Sequence, residues 1–268
     1  MMKFMTAMVT AGLALSPLAA ATATKPPAAA VAKKPAAARP PKLDPEALLA
    51  IGAMGRYLRT LKSFEIVADG FAEDVLDSGQ KVTIPGTLRY AAQLPDKLFA
   101  EIGNDRSLRR LYFDGRKVTI DAPRHKLYTD APLSGSISAL IAVADEKYDI
   151  TLPLSDLFLW GDPARPVPPP QAGFKVGPET IGDTKVDHFA FRQPGIDWQI
   201  WITQGDKPLP LRIVMINTRD PAQPQYAAKL TWTINPVLAA DRFTFTPAAD
   251  SGRISLATID GSKPQETN

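Results

Sequence analysis

Between residues 64 and 234 the chain mostly alternates apolar and polar side chains, and Gly, Pro, Asn or Asp turns interrupt it every six to twelve residues. Alternation with period two puts the apolar set on one face of a strand, and short turns leave no room for crossover helices. Most of this chain must therefore fold as an antiparallel meander. Phe64, Ile66 and Ala68 start one apolar face, and Asp77-Ser78-Gly79 reads as a turn. Val82, Ile84, Leu88 and Tyr90 share a face of the next strand, with Pro85-Gly86 predicting a bulge or bend. After Pro95-Asp96 come Leu98, Ala100 and Ile102, then a strand from Leu108 to Phe113. Asp114-Gly115 is a two-residue hairpin signal from which Val118 and Ile120 return, and a short strand around Leu127 and Tyr128 follows Pro123.

The period changes in two places. Asp44-Pro45 is a good helix start, and Leu48, Ile51, Met54, Leu58 and Leu61 make one apolar stripe on a helix ending near Lys62. Gly52 and Gly55 weaken it and predict close approach of a neighbouring strand. Ile137, Leu140, Ile141 and Ala144 recur at helical spacing over residues 136–147, with Ser134 or Ser136 as the cap. Residues 153–160 read as a second short helix ending at Gly161, and Pro163, Pro166 and Pro168 to Pro170 as a constrained loop. Strands resume at Phe174-Lys175-Val176, 185–192, Trp198-Ile200-Ile202, 211–217 and 226–234, with Phe243-Thr244-Phe245 as the last. The expected class is mainly β with helices (α+β), a half-open antiparallel β-barrel covered by the first helix and the helical insertion.

Residues 1–42 contain no acidic side chain. Met1-Met2-Lys3, an apolar run from Phe4 to Leu18 and the small residues Ala21-Thr22-Ala23 follow the order of a cleavable signal peptide, too short for a membrane span. The expectation is a signal peptide over 1–23, a Pro/Ala/Lys-rich linker over 24–42, one β-domain over 43–250 and a loose tail over 251–268. The mature chain would then be periplasmic, with no transmembrane segment. The linker is read as a semi-rigid spacer, or as a contact to peptidoglycan or anionic lipid through its five positive charges. Six of the 31 basic residues precede Leu43 while all 28 acidic ones follow it, so the body holds 25 basic against 28 acidic residues, net −3. That balance argues against a nucleic-acid partner.

Catalytic and metal chemistry have little to work with. The chain has no cysteine and two histidines, His125 and His188, and lacks G-x-S-x-G, P-loop and G-x-G-x-x-G motifs. No cofactor, metal or enzymatic activity is expected. Asp187 and His188, adjacent on a strand, point to opposite faces and cannot easily share a metal. Asp69, Glu73, Asp74 and Asp77 lack calcium-loop spacing and read as a solvated hairpin end. Arg106, Arg109, Arg110 and Arg116, with Lys117, form a positive band around the Asp114 hairpin, suited to a lipid head group or another envelope protein, or simply to solvent.

A helix, long antiparallel strands, a helical insertion and further strands ending in Phe243-Thr244-Phe245-Thr246-Pro247 resemble the bacterial outer-membrane lipoprotein carrier proteins. Pro95-Asp96-Lys97-Leu98 and Phe113-Asp114-Gly115 belong to that resemblance. More closely, residues 44–247 resemble a group of uncharacterised predicted periplasmic proteins. The matching motifs are Tyr148-Asp149-Ile150, Leu152-Pro153-Leu154, Val186-Asp187-His188-Phe189-Ala190-Phe191-Arg192-Gln193 and Asp197-Trp198-Gln199-Ile200-Trp201-Ile202. The resemblance implies an apolar cavity between barrel and helices. Its lining would include Ile66, Val82, Leu88, Tyr90, Leu98, Ala100, Ile102, Trp198 and Ile200, with Leu140, Phe158 and Trp160 on a lid. A lipid or acyl chain would be the ligand. The alternative is an envelope sensor or interaction protein of the same fold that transports no lipid.

Overall fold

The computed structural model describes residues 42–162 and 167–255. The expected signal peptide, most of the linker, Pro163, Pro166 and most of the tail lie outside them. The first helix, α1 (Pro45–Thr60), starts where expected: the Asp44 side chain accepts from the Glu46 N–H at 3.0 Å, and Pro45 fills the first turn. Its buried residues Ala47, Met54 and Leu58 face the sheet. Gly55 does serve a close approach, but to the backbone of Trp160 and Gly161 rather than to a strand.

The strands are β1 (Ser63–Val75), β2 (Lys81–Gln93), β3 (Lys97–Gly103), β4 (Leu108–Phe113), β5 (Lys117–Ala122) and β6 (Leu127–Pro132). After the insertion come β7 (Ala172–Ile181), β8 (Thr184–Gln193), β9 (Ile196–Thr203), β10 (Pro210–Asn217), β11 (Gln225–Ile234) and the two-residue β12 (Gly252–Arg253). Among the described residues they form one sheet, ordered β12-β6-β5-β4-β3-β2-β1-β11-β10-β9-β8-β7. Each half is a meander, and the long β1–β11 ladder, from Phe64↔Ile234 to Ala72↔Tyr226, joins the two. The sheet is open, since β12 and β7 end it on opposite sides. It is a curved, unclosed sheet and not a closed barrel. All pairs are antiparallel except β12–β6.

Two local expectations are corrected. Pro85-Gly86 makes no bulge: the β1–β2 register runs unbroken through Phe71↔Pro85 and Gly70↔Gly86. Pro85 is tolerated because β3 reaches β2 only from Thr87↔Gly103, leaving that side of β2 unpaired at Pro85. The register shifts lie instead at Lys175/Gly177 and Pro210/Arg212. Phe243-Thr244-Phe245 is not a strand. Asn235 takes a left-handed φ of 51° before Pro236, which turns the chain out of the ladder. Residues 236–254 then cross the outer face of the sheet. A 3-10 turn, Ala240–Phe243, buries Phe243 on Ala91 and Phe99, and Phe245 lies against Tyr112 and Tyr128. Arg242 caps the Phe99 ring at 4.2 Å. The strap ends by pairing β12 with the exposed edge of β6.

A flat sheet of twelve strands would span about 50 Å at about 4.8 Å per strand. Yet Phe113 on β4, Ile120 on β5 and Phe191 on β8 join one core cluster with the three helices. The sheet therefore curls around its inner face, and the helices pack inside the curl. The insertion holds α2 (Ile137–Tyr148), capped by the Ser136 hydroxyl, which accepts from the Ala139 N–H at 3.3 Å. The next helix, α3 (Asp156–Leu159), is only four residues long, shorter than the 153–160 segment expected, because Leu154 takes a φ of 58° just before it.

Candidate functional site

Strand register decides which side chains share the inner face. One row runs Ile66↔Tyr90↔Ala100↔Leu111↔Ile120↔Thr129, and the next runs Ala68↔Leu88↔Ile102↔Arg109. A third row starts at Phe191↔Trp198↔Met215↔Tyr226 and ends at Ala72 on β1. Ile66, Leu88, Tyr90, Leu98, Ala100, Trp198, Ile200, Leu140 and Phe158 are all buried in the one inner cluster, with Ile102 and Trp160 half-buried against it. Val82 stands apart from them. It lies opposite Asp74 on the protruding end of the β1–β2 hairpin, beyond the reach of β3.

Much of this face is filled by side chains from α3. Phe158 stacks on Phe64 (5.6 Å, 26°) and meets Tyr90 edge-on (5.2 Å, 88°). The Tyr90 hydroxyl donates to the Pro153 carbonyl at 2.6 Å, so the insertion is tied to the floor of the sheet by a polar bond as well as a ring. Burial pushes the Tyr90 phenol far above its ordinary value and that of Tyr226 up to about 12, leaving both as neutral donors. Trp160 stacks on Trp198 at 6.1 Å, and Trp198 stacks on Phe191 at 4.3 Å. Gly161, at φ 78°, fits its backbone against Gly55 of α1.

The packing leaves a recess between α2 and strands β4–β6. It is small, a void of about 30 Å³ that opens partly to solvent. Leu111, Val118, Ile120, Leu133, Leu140, Val143, Tyr148 and Ile150 line it, with Thr129 among the few polar residues. Only Leu140 of the expected cavity residues is among them. Val118 and Ile120 were nevertheless findable. Once Asp114-Gly115 is read as a hairpin, pairing sets them opposite Phe113 and Leu111 on the inner face.

The arginines do not form one band. Arg106 sits in the β3–β4 turn, whereas Arg116 sits in the β4–β5 turn at the other end of β4. Arg109 and Arg110, being adjacent, leave opposite faces of β4. Arg110 Nε donates to Glu101 at 2.8 Å on the outer face, and Arg89 reaches the same carboxylate at 3.7 Å. The acidic group also divides: Asp69 accepts from Thr87, while Glu73 takes Lys81 and the Gln225 N–H. The hydrogen bond from Lys81 is the main reason the Glu73 carboxyl lies below its ordinary value.

His188 faces outward and is buried. Its ring nitrogens lie 2.9 Å from Glu179 Oε1 and 2.9 Å from Gln199 Oε1, and its ring lies flat on Trp201 at 3.9 Å. Asp187 turns the other way, toward Lys175 at 3.3 Å and Gln204. His125 is exposed in a 3-10 turn between β5 and β6. Among the described residues no three His, Asp or Glu side chains gather as metal ligands, and no helix is long and apolar enough to cross a membrane.

Comparison with solved structures finds distant likenesses. An uncharacterized conserved protein from Thermus thermophilus shares 11% identity over 77% of this chain and 98% of its own, with a TM-score of 0.46. The lipoprotein LppX of Mycobacterium tuberculosis shares 13% over 74% and 100%, at 0.37. A LolA superfamily protein from Nitrosomonas europaea shares 12% over 74% and 97%, at 0.36. Comparison with curated proteins finds no match. A family model described as predicted periplasmic protein (DUF2092) matches residues 47–257, most of the described fold. The chain belongs to that family of predicted periplasmic proteins.

Proposed function

We propose that this protein is an exported periplasmic binding protein that holds a lipid or lipidated ligand against the inner face of its sheet, beneath the α2–α3 insertion. The observation that carries the reading is the apolar recess under α2. Its void is about 30 Å³, well below the about 300–1,000 Å³ of ligand pockets, so it marks where the helix and the sheet part rather than a finished acyl slot. A void of that size is about that of one water, so an acyl chain enters only as the insertion lifts from the sheet. Each methylene buried there contributes about 0.8 kcal/mol. The side chains on this face supply no nucleophile–base pair, so the chemistry on offer is shape and apolar burial.

The test is native mass spectrometry of protein purified gently from a periplasmic extract, followed by organic extraction. A discrete adduct of lipid mass, lost on Val143→Arg with the circular dichroism unchanged, is the expected result. A clean apo mass that persists with added laurate and lysophospholipid would mean that the inner face is only a core.

A further inference from the structure

Among the described residues, one enclosed side-chain polar atom has nothing to bond, and it lies on the inner face. Trp198 is 7% exposed, and its indole Nε1–H is fully enclosed without a hydrogen-bond partner. Two other tryptophans satisfy theirs: Trp201 donates to Glu179 at 2.9 Å and Trp232 to the Pro210 carbonyl at 2.8 Å. Phe191 and Trp160 lie nearly parallel to the Trp198 ring, at interplanar angles of 21° and 29°. An indole N–H projects in the plane of its ring, so neither stacked neighbour can receive it. The cross-strand partner is Met215, whose thioether is a weak acceptor, and Tyr226 stands one strand further along the same row. A lone water needs two to four polar partners to stay, and these neighbours offer few. An enclosed donor with no acceptor is a standing cost to the fold.

We infer that the Trp198 Nε1–H is the fixed donor for the carbonyl or carboxylate oxygen of a fatty-acyl ligand. The inference rests on the proposed lipid-binding reading and adds the atom that recognises the head of the chain. Met215 and Tyr226, half-buried beside Trp198, offer apolar surface for the first carbons. Trp160, the residue that caps the four-residue α3, covers the indole and is the side chain that must give way. The same donor serves a free fatty acid or a lipid ester, since both present an sp² oxygen at the end of an alkyl chain.

The experiment compares three twelve-carbon probes on the wild-type protein and on Trp198→Phe: laurate, lauroyl-lysophosphatidylcholine, and dodecyltrimethylammonium, which has no oxygen. Loss of one hydrogen bond should weaken laurate, the lysolipid or both by about tenfold and leave dodecyltrimethylammonium unchanged. A response confined to laurate assigns the donor to a free acid, and one confined to the lysolipid assigns it to an ester. Equal losses for all three probes, or none, overturn the assignment while leaving lipid binding standing. If the wild type binds none of the three, both the lipid-binding reading and the assignment fall. Should Trp198→Phe fold poorly, the indole ¹⁵N–¹H resonance of the wild type decides. It moves downfield with laurate or lysolipid and stays put with dodecyltrimethylammonium, and a resonance indifferent to all bound probes overturns the inference.

Discussion

Phe158→Ala should detach α3 without unfolding the sheet. Phe158 is 6% exposed and touches Phe64 and Tyr90 ring to ring. Truncating a buried Phe costs about 3–5 kcal/mol, of which each aromatic pair supplies about 0.5–1.5 kcal/mol. Where that loss falls depends on what else holds α3. A four-residue helix has no stability of its own. Its remaining ties include the 2.6 Å Tyr90–Pro153 bond, the Trp160 stack, the Gly55–Gly161 fit and the buried Leu157. The loss should thus be spent on local opening, raising the opening constant by about three powers of ten for about 4 kcal/mol. Native-state hydrogen exchange reads this directly. The amides of residue 158 and Trp160, which donate to Ser155 and Asp156 carbonyls, should exchange about a thousandfold faster. The β1–β11 ladder should stay protected. Equal acceleration in α3 and in that ladder would refute the reasoning, because the insertion would then be one cooperative unit with the sheet. Unchanged exchange at Trp160 would show that Phe158 is not the latch.

Two glycines should respond with opposite sign. A Cβ on Gly52 meets nothing nearer than the Arg56 guanidinium at 3.4 Å, so Gly52→Ala should stabilise α1 by about 0.5–1 kcal/mol, read as a higher urea midpoint. A Cβ on Gly70 would come within 2.7 Å of the Ala228 Cα and closer still to the Ala227 carbonyl oxygen, with no side chain to yield. Gly70→Ala should cost about 3 kcal/mol or more and open the β1–β11 junction first, and an unchanged midpoint would contradict that close packing.

The meander was legible because period-two alternation and turn chemistry are local, and both survive in the register of β1 through β6. The failures came where a side chain answers to something remote. Phe243 and Phe245 have the spacing of a strand, yet they are spent on covering Phe99, Tyr112 and Tyr128 from above, and alternation looks the same in either use. Pro85 reads as a bend only if both of its flanks must pair, and the stagger of β3 against β2 removes that demand. Adjacent arginines in the sequence suggested one basic surface, but Arg109 and Arg110 face apart and Arg110 is bound to Glu101. At the site, Ile66, Leu88 and Tyr90 were readable as one face. The orphan N–H of Trp198 was not, because it depends on which acceptors the fold fails to bring near.

Whether such a face is core or cavity turns on a comparison of magnitudes that no pattern of residues contains. If a ligand enters by displacing Phe158, it forfeits the about 3–5 kcal/mol that the ring contributes. At about 0.8 kcal/mol per methylene, about four to six buried methylenes are needed before binding breaks even. Saturated fatty acids should therefore bind feebly when short and then gain about fourfold in affinity with each further carbon. In Phe158→Ala the obstacle is already gone. Its chain-length curve should keep the same slope but start about four to six carbons earlier, which isothermal titration across a series from hexanoate to palmitate would resolve. A chain-length curve identical in the two proteins would mean that the ligand never meets Phe158. The apolar chain would then enter by lifting α2 alone, and the α3 ring would belong to the permanent core.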